Sequence, residues 1–222
     1  MPSKLFRGLE PERCLSATPF VDCDSPEIQA RSAEICQGLA TPRDKAVQLF
    51  QHVRDEIRYE FRAKLTREEY VASRVLNDGK GFCVQKAVLL CALARSARIP
   101  AAIVLCDLRD QSLSKRITLA MGTNTMYHHG LSALFLDGRW ILADASLSPD
   151  VVSRKGYRIV DFDGTKDALH SATRLDGSPH AEYIRFHGLN VELPFDEMLR
   201  AFMTAYAGAD LEALAKLGYQ LE

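Results

Sequence analysis

Long apolar runs are missing from this sequence. No stretch approaches the roughly 20 consecutive apolar residues of a membrane-spanning helix, and the opening MPSKLFRGLEPER holds no apolar segment of the kind a secretory leader carries. A dominant charge is missing too. With 28 basic and 29 acidic residues the formal net charge is -1, which argues against a dedicated nucleic-acid or anionic-membrane surface. The expectation is a cytoplasmic protein with no nucleic-acid and no membrane partner; its oligomeric state is not legible. The six cysteines, Cys14, Cys23, Cys36, Cys83, Cys91 and Cys106, form no CxxC pair and no zinc-ribbon spacing. No metal or other cofactor is therefore expected, and in a reducing cytosol most of these thiols serve as small apolar residues. No internal repeat, low-complexity tract or Pro/Gly/Ser-rich linker divides the 222 residues, so they read as a single domain with a core that needs no staples.

Residues 1–24 carry Pro2, Pro11 and Pro19 without periodicity and read as an irregular surface arm. Ser25-Pro26 then opens a helix with a capping serine and a proline at its first position, and Thr41-Pro42-Arg43-Asp44 repeats the signal. Behind it Ala46, Leu49, Phe50, Val53 and Ile57 recur at helical spacing. Thr66-x-x-Glu69 is a capping box for a helix ending near Asn77. A helix follows from Cys83 to Ala97, stopped by Pro100, with Lys86, Arg95 and Arg98 on its solvated side. Ala101 to Cys106 reads as a buried strand and residues 107–126 as an irregular loop. Gly130–Leu136 and Arg139–Asp144 flank Asp137-Gly138, the dipeptide favoured in a two-residue hairpin turn. Strands are expected again at Tyr157–Phe162 and Glu182–Phe186, and helices at Pro194–Tyr206 and Asp210–Leu217.

Two places carry chemistry. Cys83 follows Gly-Lys-Gly-Phe and begins a helix, where unbonded backbone N–H groups and the helix dipole favour a thiolate. That position alone fits a buried structural cysteine equally well. The hairpin adds a second element. A two-residue turn pairs Leu136 with Arg139, Phe135 with Trp140 and Leu131 with Asp144, so His129 shares the face of Asp144 as a diagonal neighbour while His128 points the other way. Trp140 falls on the same face and is expected to pack against the His–Asp pair.

These residues carry a resemblance. GKGFCVQKAVLLCALARSARIPAAIVL is similar to the nucleophile helix of transglutaminase-like enzymes. HGLSALFLDGRWILADAS resembles their following hairpin, where a histidine precedes an aspartate by fifteen positions, and VRDEIRY and ASRVLNDG resemble the approach to the cysteine. The likeness runs over residues 42–150, read as the catalytic core, with closing helices in 190–222. It implies an α+β, papain-like fold, with N-terminal helices packed on an antiparallel sheet and C-terminal helices. It also implies a Cys83–His129–Asp144 triad that forms a thioester and passes the acyl group to an amine or water. Cys83 attacks, His129 moves protons and Asp144 fixes the imidazole. The Cys83 N–H is the natural first oxyanion donor; Gln85, Asn77 and Tyr127 are the candidates for a second. The sequence departs from the family at Leu131 and Ala133, where members often have a tryptophan and an acid. Nothing resembles the calcium-dependent crosslinking enzymes beyond the core. A small-molecule or peptide substrate suits so compact a chain. The alternatives are a lyase or isomerase on the same triad and a non-catalytic binding module.

Overall fold

The computed structural model describes residues 8–62, 64–210 and 212. Two capped helices open the core. Ser25 Oγ accepts the Ile28 N–H to start α1 (Pro26–Ile35), and Thr41 Oγ1 accepts the Asp44 N–H to start α2 (Pro42–Glu56), each with proline in the first turn. α2 buries Ala46, Leu49, Phe50 and Val53, the face its periodicity marks. A short strand, β1 (Arg58–Tyr59), follows. The Thr66 box forms, with Thr66 donating to Glu69 Oε2, but it caps only a 3-10 turn at Glu68–Tyr70. Val71 is extended because Ala72 donates its N–H to the Phe20 carbonyl, and α3 (Ala72–Asp78) starts only there. Gly79 ends α3 in the left-handed conformation, and β2 (Lys80–Gly81) pairs in parallel with β1.

The central helix α4 (Cys83–Ser96) is buried along nearly all its length, Lys86 and Arg95 included. This corrects the solvated side read from the sequence, of which only Arg98 is exposed. Both cations are accommodated by main-chain oxygens. Lys86 Nζ donates to the carbonyls of Ile57 (2.7 Å) and Arg54 (3.2 Å), and Arg95 donates to those of Ser16, Ala101 and Val191. The arm before residue 25 is corrected in the same way. Its described part, residues 8–24, holds a 3-10 turn at Pro11–Leu15, buries Cys14, Phe20 and Val21, and gives Arg95 its Ser16 carbonyl, so that part is packed into the fold rather than laid on the surface.

β3 (Ala101–Asp110) runs past the expected end. α5 (Lys115–Met121), capped by Ser114, and the start of β4 (Thr125–Leu136) occupy what the polar sequence suggested was an irregular loop. β5 (Arg139–Ala143), α6 (Pro149–Lys155), β6 (Ala181–Asn190) and α7 (Phe195–Ala205) complete the elements. Residues 157–162 bury Tyr157, Val160 and Phe162 but join no strand: the Val160 carbonyl accepts Arg54 Nη1 at 2.7 Å in place of a sheet partner. The second closing helix, Asp210–Leu217, lies outside the described residues but for Asp210 and Glu212.

One antiparallel sheet has the order β5-β4-β3-β6. Ile103, Leu105, Leu134, Leu136 and Ile141 face the helical core around α4. The opposite face (Ala102, Val104, Cys106, Leu131, Ala133, Trp140 and Leu142) packs with Cys14 of the arm and with Tyr183 and Phe186 of β6. The fold class is therefore the α+β arrangement expected. Among the described residues no helix is long and apolar enough to cross a membrane.

Candidate active site

The N-terminus of α4 and the middle of β4 meet at a contact that admits no side chain. A Cβ on Gly130 would lie 2.5 Å from Val84 Cα and 2.9 Å from Val84 N. Glycine lets the strand backbone rest on the first helical turn, which brings His129 to Cys83. Gln85 caps the start of the helix: its Oε1 accepts the Phe82 N–H at 3.1 Å. At the first helical position the Cys83 N–H has no intrahelical carbonyl to bond.

The hairpin keeps the register read from its turn. Asp137 and Gly138 both have positive φ (49° and 79°), Leu136 pairs with Arg139 and Phe135 with Trp140. A bulge does occur in β4, but before His129. Cys106 pairs with His129 and Leu108 with Met126, which leaves Tyr127 and His128 opposite Asp107, with His128 left-handed at φ 54°. Alternation from His129 onward is undisturbed. His129 Nε2 lies 2.7 Å from Asp144 Oδ2, so Nδ1 is the nitrogen left for the Cys83 thiol, with which His129 also hydrogen-bonds. His128 turns instead to His187 of β6 and Phe202 of α7.

The site is closed and strongly polarised: Cys83 and His129 are each 6% exposed and Asp144 1%. Burial alone would lower the His129 pKa, yet the charges of Asp144 and Cys83 outweigh it and hold the imidazole well above the usual histidine range. Burial alone would raise Asp144, but His170 and His129, through charge and hydrogen bonds, hold it well below the usual carboxylate range.

The profile of the transglutaminase-like superfamily matches residues 29–145, more than half of the chain. The chain belongs to that superfamily. Curated proteins give no match. Among solved structures, this transglutaminase-like chain is similar to a candidate cysteine protease from Cytophaga hutchinsonii (TM-score 0.49, 15% identity, 83% of this chain and 56% of that one). It is also similar to the periplasmic domain of TgpA from Pseudomonas aeruginosa (TM-score 0.44, 19% identity, 62% of this chain and 48% of that one). The chain spans about half the length of these two structures.

Several groups around Asp144 were not read from the sequence. Tyr183 Oη donates to Asp144 Oδ2 at 2.8 Å, the Ser146 N–H donates to Oδ1 at 3.1 Å, and His170 Nε2 stands 3.4 Å from Oδ1 and 3.0 Å from Ser146 Oγ. His170 is buried beside the carboxylate. Tyr59, at the end of β1, has a phenol raised well above the ordinary range by burial and then by the Cys83 charge. The one usable sequence signal was the glycine after the two histidines.

The candidates for a second oxyanion donor separate from the site. Gln85 is corrected to a capping residue: its Oε1 serves Phe82 and its Nε2 donates to the Glu69 carbonyl at 2.6 Å. Asn77 is exposed on the last turn of α3 and joins none of the hydrogen bonds around Cys83. Tyr127 donates its N–H to Tyr206 Oη at 2.9 Å and sets its ring against Tyr206. Trp140 shares the Asp144 face but packs edge-on against Phe135 at 5.3 Å, four residues along β5 from Asp144; Tyr183 and His170 fill the place it was given. Among the described residues, two groups bring possible metal-ligand atoms within 4.8 Å of one another. In His129, Asp144 and His170 those atoms face each other in the contacts already described. In Asp107, His128 and His187 the imidazole rings stack 4.4 Å apart at 11°, so their in-plane lone pairs run side by side instead of converging on one ion.

Proposed function

We propose that this transglutaminase-like chain is a cysteine-dependent acyl enzyme acting on an amide or thioester of a small molecule or peptide. Cys83 is its nucleophile, His129 its base and Asp144 the carboxylate that orients the base. The reading rests on one relationship: His129 is held by Asp144 through Nε2, which leaves Nδ1 for the thiol at the N-terminus of α4. With the proton already on Nδ1 of the raised imidazole, Cys83 Sγ attacks the carbonyl carbon, and the oxyanion forms against the Cys83 N–H. The C–N or C–S bond then breaks, the leaving group takes the proton from Nδ1, and the acyl group stays on sulfur as a thioester. Water or an amine attacks that thioester, gives its proton to Nδ1, and expels the thiolate, which leaves the proton on the imidazole for the next cycle. A reducing compartment such as the cytosol suits a nucleophile that must remain a free thiol.

Cys83 is only 6% exposed, which favours slender acyl groups. Intact-protein mass spectrometry with p-nitrophenyl acetate tests the reading. An acetyl adduct mapped to Cys83, absent in Cys83→Ala and long-lived in His129→Ala, supports it. No adduct on Cys83, with p-nitrophenol release no faster than in Cys83→Ala, would instead favour proton-transfer chemistry of the lyase or isomerase kind.

A further inference from the structure

The superfamily match ends at Ala145, yet the remaining groups on the Asp144 carboxylate come from beyond it. Residues 146–183 return to the sheet edge in a defined way. Ala168 donates its N–H to the Leu142 carbonyl at 2.8 Å and accepts the Asp144 N–H at 2.9 Å, which seats His170 two residues further on. The His170 N–H in turn donates to Tyr183 Oη at 3.0 Å, and Tyr183 reaches Asp144 Oδ2 at 2.8 Å. A carboxylate only accepts, so the phenol is the donor. Burial, then the Asp144 charge, hold that phenol well above its ordinary range and keep its proton in place.

We infer that Tyr183 is a positioning residue: its hydroxyl, braced by the His170 backbone, locks the Asp144 carboxylate in the orientation that holds His129 against Cys83. Oδ2 accepts from both Tyr183 and His129, at 2.8 and 2.7 Å, so the two donors fix one oxygen between them. Without the phenol that oxygen keeps a single donor inside a dry shell. The carboxylate then gains a second orientation in which His129 is released. The part of the chain outside the superfamily match thereby completes the site.

The inference rests on His129 as the base of the proposed reaction, but its test needs no turnover. Tyr183→Phe removes only the hydroxyl and keeps the ring stacked on Phe186 (5.8 Å, 3°). Nitrogen-edited NMR of the His129 imidazole, assigned against His129→Gln, reads the Nε2–H signal and its exchange with solvent. Tyr157→Phe is the control, since that phenol bonds Ser112 and not Asp144. The expected result is an Nε2–H that shifts and exchanges about tenfold faster in Tyr183→Phe, with no change in Tyr157→Phe and similar melting for both. An unmoved His129 signal in Tyr183→Phe, or equal changes in both variants, would overturn the role. If Tyr183→Phe does not fold, 3-fluorotyrosine in place of Tyr183 changes only the strength of the hydroxyl's bond to Asp144: a shifted Nε2–H signal supports the role and an unmoved one overturns it. A loosened His129 in a protein that never acylates Cys83 keeps the positioning role and sinks the proposed reaction; acylation with an unmoved His129 does the reverse.

Discussion

Gly130 and Val84 touch backbone to backbone, with the place of a Gly130 Cβ only 2.5 Å from Val84 Cα. This contact sets the distance between the strand that carries His129 and the helix that begins at Cys83. The atoms in the way belong to main chain in the first turn of a buried helix, so they cannot yield as a flexible side chain would.

Gly130→Ala should therefore push β4 off α4. Overpacking of this kind costs about 1–3 kcal/mol, and a backbone clash places this variant toward the upper end. Urea denaturation gives the stability change, and the alkylation rate of Cys83 reports the separation of thiol and imidazole. Wild-type values for both would show that the contact does not control the site.

Thiol reactivity offers a second test, because exposure and chemistry predict different winners. Cys36 is half-exposed and Cys83 only 6% exposed. Burial raises the pKa of Cys36, as it does for Cys14 and Cys23, and pushes Cys91 up to about 11. Cys83 begins α4 beside the His129 imidazole, which Asp144 holds well above the usual histidine range and which therefore places a positive charge next to the sulfur. Limited iodoacetamide treatment near neutral pH should label Cys83 first, and His129→Ala should remove that preference. Peptide maps showing Cys36 labelled ahead of Cys83 would mean that exposure governs and the imidazole does not activate the thiol.

What could be read from sequence at this site was local. The Asp137-Gly138 turn fixes the hairpin register, and parity along two strands then puts His129 and Asp144 on one face. The glycines before Cys83 and the apolar run after it mark a helix start. The surrounding shell was not readable. Tyr183 arrives on a strand paired with β3, and His170 sits in an irregular stretch held by main-chain bonds to Leu142 and Asp144; neither relationship leaves a spacing in the sequence. Lys86 misled because its partners are the carbonyls of Arg54 and Ile57, which residue types do not announce. The polar loop between 107 and 126 misled similarly: α5 is marked mainly by the Ser114 cap.

Lys86 and His129 should pull stability in opposite directions as pH rises. Burial lowers the Lys86 ammonium to about 7, against the charges of Asp144, Asp55 and Asp150. Its folded pKa lies below the unfolded value of about 10.4. The unfolded chain therefore binds the extra proton across that window, and stability rises with pH there. His129 has a raised folded pKa, so its contribution is full below about 6.5 and is lost as pH climbs through the folded value. The two slopes offset in the wild type above neutral pH. Lys86→Met should leave the His129 slope alone, a loss of up to about 1.4 kcal/mol per pH unit, while His129→Gln should leave a rise. Urea midpoints between pH 6.5 and 9 decide it; parallel curves for all three proteins would refute both assignments.

The final prediction separates the adjacent histidines. His129 stands on the Asp144 face at 2.7 Å from the carboxylate, whereas His128 stacks on His187 and meets Phe202 of α7. His129→Ala removes the base and should lower acyl turnover by about 10²–10⁴-fold. His128 has φ 54° at the bulge, a conformation that asparagine tolerates better than most residues, so His128→Asn probes the ring without adding backbone strain. That variant should keep turnover within a few-fold of wild type and show its effect in the melting temperature, through the lost stack with His187. Ester turnover on both purified proteins, with thermal melts as the folding control, resolves the pair. A folded but inactive His128→Asn beside an active His129→Ala would place the base on the other side of β4 and remove the ground for the triad.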